Sequence, residues 1–282
     1  MKRNSRRSAA VSTEQWVQHG DIRLRVECWG EGPPILLAHG MWCDAGMFTS
    51  LAASLARNYR VLVPDLRGHG RSTVPDRPWR IADITDDLVV ILDQFDHKEV
   101  ALVGFSMGGM AAVDFALRYP GRLTQLGLLS TSAAREAPIR RLEIATLARL
   151  IERVGPPHFL PRAAGRAAFS TPYQRSNPGD FRRWAETVAA MEPRALVHAL
   201  RAVAGREDLL NRLGEIRVPT LIVTGSADQV VAPRRSFEMR RRLPLSRLVR
   251  LEGAGHAAPV ERAEEIAALL RDLTAGILPA IT

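Results

Sequence analysis

Short apolar runs alternate with amphipathic stretches along most of this sequence, and that alternation restricts the possible folds more than any other feature. The predicted strands are 22–29, 35–38, 61–63, 100–103, 126–129, 220–224 and 248–251. The predicted helices outside the middle of the chain are 81–95, 107–118, 234–242 and 262–273. Strands that alternate with helices form a mostly parallel sheet with helices on both faces. We therefore predict an α/β architecture of this kind.

The middle of the chain has a different pattern. It contains helical periodicity interrupted by prolines but no strand pattern, and its predicted helices are 140–154, 181–191 and 194–203. We therefore divide the 282 residues into a sheet domain, residues 1–131 and 206–282, and a helical lid, residues 132–205. Ligands bind beyond the carboxyl ends of the strands in open parallel sheets, so a lid here would cover the site. Residues 1–13 are predicted to form a flexible arm.

The charge and composition of the chain argue against nucleic-acid and membrane partners. The net charge is +9 at pH 7, and only Lys2 and Lys98 among the 39 basic residues are lysines. The arginines are scattered and no nucleic-acid-binding motif accompanies them, so we expect no nucleic-acid partner. No apolar window approaches the roughly 18 residues of a membrane span, so no membrane partner is expected either. The two cysteines, Cys28 and Cys43, fit neither a disulfide framework nor a metal site, and we predict a cytoplasmic protein.

Residues 104–109, Gly-Phe-Ser-Met-Gly-Gly, join a predicted strand to a predicted helix. This is a G-x-S-x-G pattern in the strand–turn–helix context of a nucleophile elbow. A serine on so sharp a turn projects its hydroxyl clear of the sheet, and Gly104 and Gly108 leave room for close backbone. Ser106 is the predicted nucleophile. The backbone N–H of Met107, at the helix start, is a predicted oxyanion donor.

A nucleophilic serine needs a general base, and the base needs a carboxylate to orient it. His256 lies among small residues at the carboxyl end of the last strand and is the predicted base. His39 and His69 lie in turn-rich loops, and we predict structural roles for them. Asp228 follows strand 220–224 and is the predicted acid, since the chain order Ser–Asp–His places the acid before His256. The other aspartates considered were Asp114, Asp180 and Asp208.

The loop of residues 39–42, His-Gly-Met-Trp, is expected to provide the second oxyanion donor. The Met41 backbone N–H is the candidate, and Gly40 permits the turn. We expect a pocket lined mainly by apolar side chains. Its predicted lining residues are Gly40, Trp42, Met47, Phe48, Phe159, Phe169 and Trp184. Alternatively, lid arginines such as Arg162 or Arg166 receive an acidic substrate.

Together these motifs resemble the α/β-hydrolase superfamily, from about Trp16 to Leu273. The motifs are His39-Gly40, residues 65–72 (Asp-Leu-Arg-Gly-His-Gly-Arg-Ser), the elbow at Ser106, and the loops of Asp228 and His256. The resemblance implies an eight-stranded sheet with one antiparallel strand near its start and a lid before the acid loop. It also implies that neither a metal nor an organic cofactor is used.

Within that superfamily, the sequence is similar to small carboxylesterases, enol-lactonases and cofactor-free perhydrolases (haloperoxidases). This resemblance implies a serine hydrolase that cleaves ester or lactone bonds of small, largely apolar molecules through an acyl-enzyme. Serine at the elbow disfavours haloalkane dehalogenases and epoxide hydrolases, which carry aspartate there. The alternatives are perhydrolase or carbon–carbon bond hydrolase activity, although Met41-Trp42 replaces a polar residue usual in the latter. A ligand-binding receptor on the same scaffold is another alternative. The oligomeric state, monomer or homodimer, is left open.

Overall fold

A single eight-stranded sheet runs through the computed structural model, which describes residues 12–277. The strands are β1 (Thr13–His19), β2 (Ile22–Trp29), β3 (Pro34–Ala38), β4 (Arg60–Pro64), β5 (Val100–Phe105), β6 (Leu123–Leu129), β7 (Thr220–Gly225) and β8 (Ser246–Leu251). They lie in the order β1-β2-β4-β3-β5-β6-β7-β8. β2 pairs antiparallel with β1 and β4, and all the other pairings are parallel. The predicted sheet, with its antiparallel strand near the start, is confirmed.

Helices cover both faces of this sheet. They are α1 (Thr49–Leu55), α2 (Ile81–Gln94), α3 (Met107–Arg118), α4 (Pro138–Val154), α5 (Leu160–Ala168), α6 (Thr171–Ser176), α7 (Pro178–Ala190), α8 (Pro193–Gly205), α9 (Arg234–Arg240), α10 (Ala258–Glu261) and α11 (Ala263–Thr274). Alternate strand residues face opposite ways. Leu36 and Leu102 therefore belong to the core beneath α2 and α3, whereas Leu37 and Val103 belong to the core beneath α1 and α11.

Five helices, α4 to α8, form a helical insertion between β6 and β7. These two strands are neighbours in the sheet. The Leu209 N–H donates to the Ala133 carbonyl at 2.9 Å, which joins the two ends of the insertion. The predicted helices of the middle region correspond to α4, α7 and α8, while α5 and α6 were not predicted. Among the helices of residues 12–277, none combines the length and apolarity needed to cross a bilayer.

The first strand has no counterpart in the sequence-based prediction. β1 has only one fully buried side chain, Val17, so it lacks the apolar alternation that marks a half-buried strand. It is held by pairing along its whole length with β2. The predicted flexible arm, residues 1–13, lies outside the described residues except for Ser12 and Thr13, and Thr13 already belongs to β1.

Candidate active site

Ser106 occupies a strained turn between β5 and α3. Its φ and ψ angles are 50° and −114°, a combination that non-glycine residues adopt only where the surroundings enforce it. The Ser106 N–H donates to the Leu129 carbonyl at 3.0 Å, and the Ser106 carbonyl accepts the Thr131 hydroxyl at 2.6 Å. Hydrogen bonds from β6 and the residues that follow it therefore hold the strained residue on both sides.

Close backbone packing explains the two glycines of the elbow. A Cβ at Gly104 would lie 2.6 Å from the Gly108 carbonyl carbon, and a Cβ at Gly108 would lie 2.5 Å from the His39 carbonyl oxygen. The Gly108 N–H donates to that same His39 oxygen at 3.0 Å. Only glycine permits this approach, which fixes the start of α3 against the loop of residues 39–42.

A continuous chain of hydrogen bonds joins the serine to a histidine and an aspartate. His256 Nε2 lies 3.1 Å from Ser106 Oγ, and His256 Nδ1 lies 2.9 Å from Asp228 Oδ2. All three residues are buried. The other Asp228 oxygen accepts the N–H groups of Val230 and Val231 at 2.8 and 2.9 Å. Because an ionised carboxylate only accepts, Nδ1 carries the proton and Nε2 is free to accept the serine proton.

Local structure brings the start of α3 and the loop of residues 39–42 close to the serine. Met107 is the first residue of α3, where N–H groups have no partner within the helix. Met41 follows Gly40, at which a Cβ would lie 3.1 Å from the Ser106 Cβ. The start of α3 and the loop of residues 39–42 therefore approach the serine closely enough to suit the predicted pair of oxyanion donors.

The loop of residues 39–42 is held by a buried, neutral imidazole. His39 Nδ1 donates to the Gly40 carbonyl at 2.8 Å, and His39 Nε2 accepts the Leu66 N–H at 2.9 Å. Burial lowers the pKa of His39. His69 Nδ1 donates to the Arg67 carbonyl at 2.9 Å, and burial with the nearby His39 lowers the pKa of His69 to about 3. These contacts fit the structural roles predicted for both histidines.

Ser106 and His256 border a cavity of about 330 Å³ between the sheet and the helical insertion. Its apolar lining residues are Met41, Trp42, Met110, Ile144, Leu147, Leu160, Ala164, Ala167, Ala168, Trp184, Leu200, Val203, Val230 and Val231. Charged side chains occur only in the group Glu136, Arg140 and Glu143. Arg140 donates to Glu143 at 2.9 Å, so that arginine is already paired with a carboxylate. An uncharged, apolar molecule is the ligand that such a cavity suits.

Some of the predicted pocket residues lie at or next to this cavity. Trp42 and Trp184 line it, and Gly40 packs against the serine. Met47 and Phe169 instead line an adjacent, smaller cavity of about 90 Å³. Trp42 and Trp184 also border that second cavity, so the two indoles lie between the two spaces.

Other predicted pocket residues lie away from the cavity. Phe48 is fully buried in the core beneath α1, and Phe159 is 69% exposed on the outside of the helical insertion. Neither lines the cavity, so the prediction is wrong for both. Arg162 and Arg166 are also exposed and do not border it. The side of a helix that faces the site depends on how the helix packs, which residue type alone does not reveal.

A buried carboxylate that the sequence-based prediction missed lies behind the histidine. Glu261 accepts the Ser170 N–H and the Ser170 hydroxyl, each at 2.7 Å, and the Gly255 N–H at 3.2 Å. Gly255 directly precedes His256. No motif in the sequence distinguishes Glu261 from the exposed glutamates Glu264 and Glu265 of the next helix.

The strand order, the serine on a strained strand-to-helix turn and the His–Asp pair at the same sheet edge together define the class of α/β hydrolases. A family model described as alpha/beta hydrolase fold matches residues 33–263. The chain belongs to this family.

The chain is also similar to individual proteins that are esterases or lactonases by name. A pimeloyl-[acyl-carrier protein] methyl ester esterase of Nitrosospira multiformis is 30% identical, covering 84% of this chain and 92% of the relative. An esterase structure from Thermogutta terrifontis is 28% identical with a TM-score of 0.87, covering 96% of this chain and all of the other. An enol-lactonase structure from Burkholderia xenovorans is 26% identical with a TM-score of 0.86, covering 93% of this chain and all of the other.

Proposed function

We propose that this protein is a serine hydrolase that cleaves carboxylic ester or lactone bonds of small, largely apolar molecules. The observation that carries the proposal is the hydrogen-bond chain from Ser106 through His256 to Asp228 at the edge of an apolar cavity. Similarity to named esterases and to an enol-lactonase supports the same bond type.

The proposed reaction has two halves. Ser106 Oγ attacks the carbonyl carbon while His256 Nε2 takes the serine proton, and Asp228 stabilises the imidazolium that forms. The backbone N–H groups of Met41 and Met107 hold the negative oxygen of the tetrahedral intermediate, and each such donor is worth about 3 kcal/mol. The leaving alcohol takes the proton from His256. Water then attacks the acyl carbonyl carbon while His256 Nε2 takes its proton. The bond to Ser106 Oγ breaks, His256 returns that proton to the serine, and the acid is released.

The lining of the cavity supports uncharged substrates. Its one arginine, Arg140, is paired with Glu143, so an anionic group would have to displace that carboxylate. Apolar residues surround the remaining space, which favours an aliphatic or aromatic acyl group. The methyl ester esterase named above makes methyl esters of medium-chain acids a natural part of a first substrate panel.

The test is hydrolysis of p-nitrophenyl acetate and butyrate, of simple lactones and of medium-chain methyl esters. We expect turnover of at least one ester series, and Ser106→Ala should lower it by at least about 10³-fold. The matched control is Ser176→Ala, since Ser176 is an exposed serine of the helical insertion. Turnover by Ser106→Ala equal to that of the control would overturn the proposal.

A further inference from the structure

Exposed large apolar side chains are concentrated in one short part of the helical insertion. Nine such side chains are exposed within residues 12–277, and five of them fall between residues 139 and 159. The five are Ile139, Leu142, Leu150, Val154 and Phe159, which we call the outer apolar patch. The exposed fraction reaches 75% at Val154. Single exposed apolar residues are ordinary on protein surfaces, whereas a cluster of them marks an interaction surface.

The patch follows the geometry of α4. Ile139, Leu142, Leu150 and Val154 recur at helical spacing and therefore share one side of the helix, and Phe159 follows shortly after it at the start of α5. A different side of α4 carries Ile144 and Ile151, which are buried in the core of the protein. The helix therefore has two apolar sides, and within the described residues only the inner one is covered.

Unpaired positive charge surrounds the patch. Residues 135–166 contain seven arginines and three glutamates. Each glutamate already has an arginine partner, at distances of 2.7 to 3.1 Å. Arg149, Arg153 and Arg162 are exposed, and the part of the chain that the structure describes offers them no carboxylate partner.

We propose that this face of the helical insertion docks on an anionic lipid surface, with the outer apolar patch entering the headgroup boundary. Charge complementarity favours an anionic lipid surface, because guanidinium groups form bidentate hydrogen bonds with phosphate. The apolar side chains among the arginines favour the boundary between headgroups and acyl chains. A second copy of the chain would instead oppose arginines with arginines. The proposal departs from our sequence-based expectation of no membrane partner, which considered only spanning segments.

The position of α4 gives the docking a consequence for substrate access. Ile144 and Leu147 of the same helix line the cavity beside Ser106. A docked α4 would lie between the lipid surface and the cavity, so apolar esters dissolved in the bilayer would be concentrated close to the cavity. Docking itself does not depend on the proposed ester hydrolysis, and the inactive Ser106→Ala protein is suitable for measuring it.

The experiment is co-sedimentation of the full Ser106→Ala chain with vesicles of phosphatidylcholine alone or mixed with phosphatidylglycerol. We expect about tenfold more bound protein on the mixed vesicles, and less at high salt. Val154→Ser with Phe159→Ser should lower the bound fraction at least about fivefold, as should Arg149→Gln with Arg153→Gln. These positions are exposed, and unchanged thermal unfolding would show that the variants remain folded.

The matched control changes one apolar residue and one arginine outside the insertion, Phe237→Ser with Arg247→Gln, both exposed. This variant should bind within twofold of the parent. An equal loss of vesicle binding in the control would show simple adsorption of a basic protein and overturn the proposal. A loss of binding in Arg149→Gln with Arg153→Gln, but not in Val154→Ser with Phe159→Ser, would do the same. No vesicle binding would also overturn it. A dimer that Val154→Ser with Phe159→Ser converts to a monomer would assign the face to a second copy.

Discussion

The Glu261 carboxylate accepts hydrogen bonds from the N–H and from the hydroxyl of Ser170, a residue 91 positions earlier in the chain. Ser170 lies between α5 and α6 of the helical insertion, and Glu261 ends α10. The same carboxylate accepts the N–H of Gly255, next to His256. One buried acid therefore links the helices above the cavity to the loop that carries the histidine.

Glu261→Ala should leave three buried donors without an acceptor, which we expect to lower the free energy of unfolding by about 3 kcal/mol. It should also lower kcat about tenfold, because the histidine loop loses a support while the cavity walls remain. Glu261→Gln keeps one acceptor oxygen and should recover part of both losses. Urea unfolding and ester kinetics measure these effects, with Glu265→Ala as the exposed control. An alanine variant as active and stable as that control would contradict the role.

Asp228→Asn tests whether the carboxylate sets the histidine tautomer. The backbone N–H groups of Val230 and Val231 would hold the amide oxygen and turn the amide nitrogen toward His256. The proton of the imidazole would then move to Nε2, which can no longer accept the serine proton. We expect kcat to fall about 10³- to 10⁴-fold with little change in thermal unfolding. The control is Asp208→Asn, and comparable activity of the two variants would argue against the assignment of the acid.

Gly108→Ala tests the packing behind the elbow. The new methyl group would lie 2.5 Å from the His39 carbonyl oxygen, and backbone cannot move aside there as a side-chain end could. We expect a loss of about 3 kcal/mol or more in unfolding free energy, or failure to fold. Gly121→Ala is the matched control, since a Cβ at Gly121 meets nothing within 4 Å. Similar stability of the two proteins would show that the elbow tolerates a side chain.

Ala164→Trp tests the cavity as the acyl site. Ala164 of α5 lines the cavity, whereas its neighbour Ala163 is exposed. A large side chain at 164 should shorten the longest acyl chain accepted and lower kcat/KM for medium-chain esters about tenfold or more, while acetate esters change little. Ala163→Trp should leave the chain-length profile unaltered. An unchanged profile in both variants would place the acyl group elsewhere.

His69 makes stability depend on pH with a definite sign. Its pKa falls to about 3 in the folded protein because burial and nearby His39 disfavour the charged ring. In the unfolded chain the pKa is about 6.5, so below that pH the unfolded state binds a proton that the folded state does not. The stabilisation is therefore complete above about pH 6.5 and is lost progressively as the pH falls toward 3.

His69→Asn should remove the contribution of His69 to the pH dependence of stability. The side-chain amide of the asparagine can still donate a hydrogen bond to the Arg67 carbonyl. Between pH 7 and pH 5 we expect the parent to lose about 2 kcal/mol more unfolding free energy than the variant loses. Guanidinium titrations at the two pH values measure the difference. His158→Asn, at an exposed position, should behave as the parent does. A parent and a His69→Asn variant with equal losses would exclude a buried neutral His69.

The sequence predicted most readily those features that depend on local periodicity. β2 has the predicted bounds because its side chains alternate between core and solvent, and α3 begins and ends at the predicted residues. Ser106, Asp228 and His256 each follow a strand whose end lies at one edge of a parallel sheet. Their proximity therefore follows from topology, even though the 3.1 Å and 2.9 Å distances do not.

Features that depend on tertiary packing were not predicted. Phe159 and Phe169 look alike in sequence and flank the same helix, α5, yet one is exposed and the other is buried beside Trp184, because packing of the insertion covers only one end of that helix. Glu261 acquires its role only when a distant serine packs onto it. Phe48 is a large apolar residue of the kind that lines pockets, but it is buried in the core formed with α1 and α11.

The hydrogen bond between Leu209 and Ala133 makes the helical insertion an exchangeable module. Its two ends meet beyond the carboxyl end of β6, where the Leu209 N–H donates to the Ala133 carbonyl at 2.9 Å, and residues 210–219 then lead back to the start of the parallel strand β7. A shorter connector or a different set of helices can therefore join the same two strands without altering the sheet order or the elbow. The substrate selectivity of this scaffold can therefore change through replacement of the helical insertion alone, while the residues that perform the chemistry keep their positions.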